Sequence, residues 1–290
     1  MNFIYEKCTF IFDPLHYYWE QEKMHRKISL LLVLLFLGSL LAIELNRQSM
    51  LPGNLSAFIP RNHFFAIQAA FSVVLILEVI SLIFTLPCSF SKSVGKQFEI
   101  LSLILMRNAF KELSHFPEPI VYVGNEQAIL HILSDGFGAL LVFALLGFYY
   151  RIQAKIQDEK GKPEDLFSFV AAKKGIALIL LGIFIYMGIS TIVRAIAGQE
   201  VPDFFHGFYT LLIITDILVV LLAQCFQPSY YAVFRNSGFA LSTLIIRLAL
   251  AAPAYFNVLL GLAAAIFAIA MTLISNFLFT SKLHKRSDQC

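Results

Sequence analysis

The chain has 290 residues, 58% of them hydrophobic and 14% charged, with a mean hydropathy of +0.74. Those fractions lie well outside the range of water-soluble domains, and the net charge of +3 is spread in short basic clusters between apolar runs, which excludes the continuous basic face that nucleic-acid binding needs. The composition predicts an all-α, polytopic membrane helix bundle whose main partner is the lipid bilayer.

Residues 1–27 carry Glu6, Asp13, Glu20 and Glu22 ahead of the first apolar run. Such a segment is unlike a cleavable signal peptide and reads as cytoplasmic or interfacial. Asp13 followed by Pro14 predicts an N-cap and first helical position, with Tyr17, Tyr18 and Trp19 anchored at the inner membrane interface.

A crossing helix needs about 20 mostly apolar residues. Such runs recur at 28–45, 63–87, 96–116, 128–150, 175–194, 206–226, 237–253 and 256–279, which predicts eight crossings. Residues 151–174 hold Asp158, Glu159, Lys160, Gly161, Lys162, Pro163, Glu164 and Asp165. This is the composition of a solvated linker, where a protein partner could dock. It divides the chain into membrane halves at 28–150 and 175–279, followed by a tail at 280–290.

The third run carries Lys96, Glu99, Arg107, Lys111 and Glu112 and would also suit an amphipathic helix lying flat on the membrane. Loop charges decide between the two. If the third run crosses, the cluster from Arg151 to Lys174 is cytoplasmic, together with both termini, as the positive-inside rule requires. A flat third helix would put that cluster outside. Eight crossings with both ends in the cytoplasm, in the inner membrane if the source is bacterial, follow. All four cysteines, Cys8, Cys88, Cys225 and Cys290, then face the cytoplasm, where thiols stay reduced.

The two halves share features that suggest a 4+4 parallel repeat of the kind found in transporters. Lys27 to Arg47 and Lys174 to Arg194 bracket the first helix of each half with the same spacing. The second helices each carry one acid, Glu78 or Asp216, and end near Cys88 or Cys225. The third helices carry Ser102…Arg107 and Ser242…Arg247. The fourth helices show no agreement.

Charges at the bilayer centre cost about 2.5–3.5 kcal/mol each on insertion scales, so Glu78, Glu99, Arg107, Asp135, Asp216 and Arg247 are the candidate transport or ion-binding residues. At a rise of about 1.5 Å per residue, Arg107 and Asp135 fall at similar depths and are expected to pair, as are Asp216 and Arg247. Glu78 has no basic residue at its depth on a neighbouring helix. An unpaired carboxyl there favours its neutral form in low dielectric and could take up a proton or cation; the alternatives are a protonated acid bonded to a backbone carbonyl, or one reached by Lys96 after the turn at Pro87. Lys96, Glu99, Leu103, Arg107 and Lys111 follow helical steps of three and four and predict one polar stripe.

His63, His131 and His206 lie near the outer helix ends and are weak candidates for metal or haem ligation. No cofactor is predicted. The familiar soluble-type catalytic signatures are absent from the sequence, so an enzyme is the less expected class. The first functional expectation is a secondary transporter or ion-conducting protein for a proton, a cation or a small anionic substrate. The alternatives are a non-catalytic membrane subunit or scaffold, and a haem-binding redox protein.

Overall fold

The computed structural model describes residues 2–50, 59–60, 62–118, 120–153, 163–197, 204–226 and 228–287. Among these it is wholly helical. The helices are α1 (Asn2–Glu20), α2 (Glu22–Arg47), α3 (Phe65–Thr85), α4 (Phe90–Lys111), α5 (Glu126–Gln153), α6 (Pro163–Ile196), α7 (Phe204–Phe226), α8 (Tyr230–Ala251) and α9 (Phe256–Ser287), with a 3-10 turn over Glu112–His115.

Among the described residues seven helices are long and apolar enough to cross a membrane: α2, α3, α5, α8 and the apolar stretches of α6, α7 and α9. The chain thus has the make-up of a multi-pass integral membrane protein. Helix α4, with 22 residues, is about 33 Å long at 1.5 Å per residue but is too charged to join that set by composition. It is nevertheless deeply packed. Twelve of its residues are buried, and it touches α3, α5, α8 and α9.

The core has three parts. Val94, Phe98, Leu101, Val142, Leu146, Phe239, Ile246 and Ala264 join α4, α5, α8 and α9. Phe12, Val79, Ile83, Leu180, Phe184, Phe208 and Leu212 join α1, α3, α6 and α7. Leu82, Ile100 and Ile104 link α3 to α4, and Leu250 packs against all three groups. Small residues permit the close approaches that membrane helices need in place of a hydrophobic driving force. A Cβ on Gly138 would stand 2.5 Å from Val258, and one on Gly95 would stand 2.6 Å from the Tyr150 ring. The outward faces are apolar, with Leu30, Leu34, Phe137, Phe143 and Ile179 all more than half exposed, as lipid contact requires.

The N-terminal expectation is corrected. Asp13 does not cap a helix: α1 already runs from Asn2, with Pro14 in its interior. The chain breaks instead at Gln21, which has extended backbone. Asp13 accepts an ion pair from Lys174 Nζ at 2.6 Å, Phe12 packs edge-on against Phe84, and Trp19 Nε1 donates to Ser81 at 3.1 Å. These contacts hold α1 across α3 and α6, and they outweigh the missing proline N–H. Helix α6 begins at Pro163, inside the segment read as linker; residues 154–162 lie outside the described ones.

Candidate functional site

Helix α4 positions most of the polar interior. Ser89 starts it, its side chain accepting from Lys92 N, and the helix then buries Ser93, Gln97, Ser102 and Arg107. Helix α8 is built alike: Ser229 accepts from Ala232 N, and Asn236, Ser242, Thr243 and Arg247 are buried.

The pairing of the charges differs from the expectation. Arg107 Nη1 donates to Glu78 Oε2 on α3 at 2.6 Å, with side chains only 7% and 12% exposed. Arg107 therefore does not pair with Asp135, and Glu78 is not unpaired. Depth along the helix axis is shared by all neighbours, whereas rotation about the axis selects one, and Arg107 turns toward α3. Asp135 Oδ1 instead accepts from Asn257 Nδ2 at 2.9 Å. The Gly138–Val258 contact explains this, because the approach of α9 to α5 at that point carries the adjacent Asn257 to Asp135.

Asp216 and Arg247 do form an ion pair, Nε to Oδ2, at 3.6 Å. That separation is too long for a hydrogen bond. The Arg247 side chain is 0% exposed, and among the described residues its Nε, Nη1 and Nη2 have no hydrogen-bond partner, nor has Asp216 Oδ2.

The polar stripe on α4 is divided. Glu99 accepts from Lys96 Nζ at 2.9 Å and from Tyr150 Oη at 2.6 Å on a half-exposed face, Leu103 is 56% exposed, and only Arg107 turns inward. The stripe does not form one continuous polar path, because the bundle surrounds α4 on one side and leaves its other side outward.

His63 joins Glu44 and Glu118, with Nε2 3.1 Å from Glu44 Oε2 and Nδ1 3.0 Å from Glu118 Oε2. The hydrogen bond with His63 holds the Glu118 carboxyl below its ordinary range. His131 sits apart from that cluster, 3.6 Å from Glu112 and edge-on to Tyr255. The His206 side chain lies outside the described residues.

Two cavities lie along the interface of α4, α7 and α8, the larger also against α3 and the smaller also against α6. The larger, about 400 Å³, is lined by Gln68, Phe71, Leu75, Arg107, Lys111 and Leu250, among others, and lies toward the Lys111 end. The smaller, about 20 Å³, is lined by Ser93, Gln97, Lys173, Asp216 and Thr243 with neighbouring apolar groups. It lies toward the Ser89 end and has room for one water. Ile104 and Arg107 line the larger cavity and Asp216 the smaller, while Leu82 and Ile100 pack between α3 and α4.

Lys173 was not singled out by the sequence. It is 2% exposed, donates to the Cys88 carbonyl at 2.6 Å, and lies 4.7 and 4.8 Å from the Phe90 and Phe169 ring centres. Its signal was the doublet Lys173–Lys174. Adjacent helical residues point about 100° apart, and Phe169 one turn earlier marks the inward face. Gln97 and Asn257 were also missed, since a lone amide carries no periodic signal.

No known family model, curated protein or solved structure matches the chain.

Proposed function

We propose that the chain is a small secondary transporter or ion-conducting protein whose path follows the interface of α3, α4, α7 and α8. One observation carries this reading. A larger cavity toward one end of the bundle is lined by Arg107 and a smaller one toward the other end by Asp216, and both residues belong to buried ion pairs, with Glu78 and with Arg247. Charged groups kept inside an apolar bundle are the usual mark of such a path. Asp135 and Glu99, engaged with Asn257 and with Lys96 and Tyr150, act in packing rather than on the path.

In this reading α4 is an eighth crossing, the halves 28–150 and 175–279 are related as a parallel 4+4 repeat, and both termini face the cytoplasm, in the inner membrane if the source is bacterial. The repeat draws support from equivalent pairings. In each half the acid of the second helix meets the arginine of the third, and a serine caps that third helix.

Glu78 is the proton- or cation-binding group and the arginines are its countercharges. Whenever Arg107 turns to a bound anion, Glu78 is left as an uncompensated buried carboxylate, which is neutralised by a proton. The test is solute-driven proton influx into proteoliposomes with an internal pH dye. Glu78→Gln is expected to abolish coupling; undiminished coupled flux in that variant would remove Glu78 from the mechanism.

A further inference from the structure

We propose that the open cavity binds an amphiphilic organic anion, with its oxyanion head held by the Arg107 and Arg247 guanidiniums and its apolar body against Phe71, Leu75 and Leu250. This deepens the transport reading and rests on it for the route, but binding itself is measured without flux.

The chemistry of the walls selects the charge. Arg107 and Lys111 line the cavity along with the donors of Gln68 and Asn108, and among the described residues no carboxylate lines it. Glu78 engages Arg107 through Nη1, and a guanidinium has five N–H donors in a fork that matches an oxyanion. The cavity volume of about 400 Å³ falls in the range of small-ligand pockets, and its aromatic and aliphatic residues leave one side suited to a hydrocarbon body.

The second observation is Arg247. Three guanidinium nitrogens without partners at 0% exposure are a costly arrangement for a cation. Its carboxylate neighbour stands at 3.6 Å and does not repair it. Arg247 is one helical turn before Leu250 and Ala251, which line the cavity, just as Arg107 is one turn before Lys111. Its ion-pair partner Asp216 and its neighbour Thr243 line the smaller cavity, so Arg247 stands between the walls of the two. Leu250, partly buried between the core groups and lining the cavity one turn from Arg247, is in this proposal the side chain that must move aside for the anion to reach Arg247. An oxyanion seated there satisfies donors that the protein leaves unsatisfied.

The same head chemistry is offered by a water-soluble organic acid and by the phosphate of an anionic lipid. The full chain in phosphatidylcholine nanodiscs is titrated with octyl phosphate, octanoate, octanamide and octyltrimethylammonium, reading thermal stability and calorimetric affinity. The two anions are expected to raise the melting temperature, and the neutral and cationic probes to leave it unchanged. Because Arg107→Gln alone strands Glu78, the double variant Glu78→Gln/Arg107→Gln is used. Lys111→Gln and the cavity-filling Ala251→Phe give independent variants. The double variant and Ala251→Phe are expected to weaken octyl phosphate by about tenfold or more, and Lys111→Gln by less.

Equal stabilisation by octanamide, or binding of octyl phosphate indifferent to all three variants, overturns the proposal. Loss of octyl phosphate binding in discs doped with phosphatidic acid assigns the head to a lipid, and unchanged binding assigns it to a soluble anion. Anion binding without proteoliposome flux would defeat the transport reading alone, whereas flux indifferent to the anions would defeat this inference alone.

Discussion

Replacing Arg107 by methionine leaves Glu78 in a protein interior with no cation, and replacing Glu78 by methionine strands Arg107 in the same way. With charge centres about 4 Å apart and an effective dielectric of about 20, their attraction is about 4 kcal/mol. Side chains 7% and 12% exposed leave little room for solvent screening. Each single substitution is therefore expected to cost about 3–5 kcal/mol, because breaking one side of a buried pair leaves an uncompensated charge. The double Glu78→Met/Arg107→Met should cost less than either single change, since two well-packed apolar side chains of similar volume replace the pair. Equilibrium unfolding in mixed micelles, run as a double-mutant cycle, should give a coupling energy of about 2 kcal/mol or more. The same cycle at Asp216 and Arg247, whose nearest approach is 3.6 Å without a hydrogen bond, should return a smaller value. Single costs that simply add within about 0.5 kcal/mol at Glu78 and Arg107 would refute the pairing.

Gly138→Ala places a Cβ 2.5 Å from the stiff Val258 side chain, and the overpacking should cost about 1–3 kcal/mol; Val258→Ala in the same chain should restore most of the lost melting temperature. Single-cysteine chains retaining Cys88 or Cys225, both exposed, test the number of crossings: if α4 crosses, a membrane-impermeant maleimide labels both from the same side, and labelling from opposite faces would mean that it does not. Glu118, held below the ordinary value of 4.5 by its hydrogen bond with His63, anchors its loop fully above that value and loses the anchor as pH falls through the lowered one. Amide exchange around Glu118 should therefore quicken only in acid, on the acidic side of the ordinary value of 4.5; Glu118→Gln should show the quickened exchange at neutral pH, and exchange unchanged in that variant would argue against the anchor.

How far the sequence could be read depends on the kind of signal each feature leaves. Long apolar runs survive any rearrangement of neighbours, so α3, α5 and α7 to α9 stand close to where hydropathy puts them. Helix α4 is harder because its charges serve different ends: Lys96 and Glu99 pair with each other on an outward face, while Arg107 crosses to α3. Periodicity groups these residues on one stripe, yet the packing of α3, α5, α8 and α9 decides which part of the stripe is covered. The mistaken Arg107–Asp135 pair has the same origin, since axial depth is readable from a sequence but azimuth is not. Asn257, which does meet Asp135, follows the Pro253 break and belongs to no periodic pattern.

The two ion pairs resemble each other in sequence and differ in what they leave unsatisfied, and that contrast bears most directly on function. Glu78 meets Arg107 at hydrogen-bonding distance beside an open cavity, so half of the structure is at rest with its charges matched. Asp216 and Arg247 lie deeper, at a longer separation, with the Arg247 donors and Asp216 Oδ2 left without hydrogen-bond partners. If both pairs existed only to fix helix packing, the more deeply buried one should be the better satisfied, because its unpaired groups cost more. The reverse holds. Stability alone does not account for an arginine sealed in this way one turn from a cavity wall, and the proposed anion site would put those donors to use.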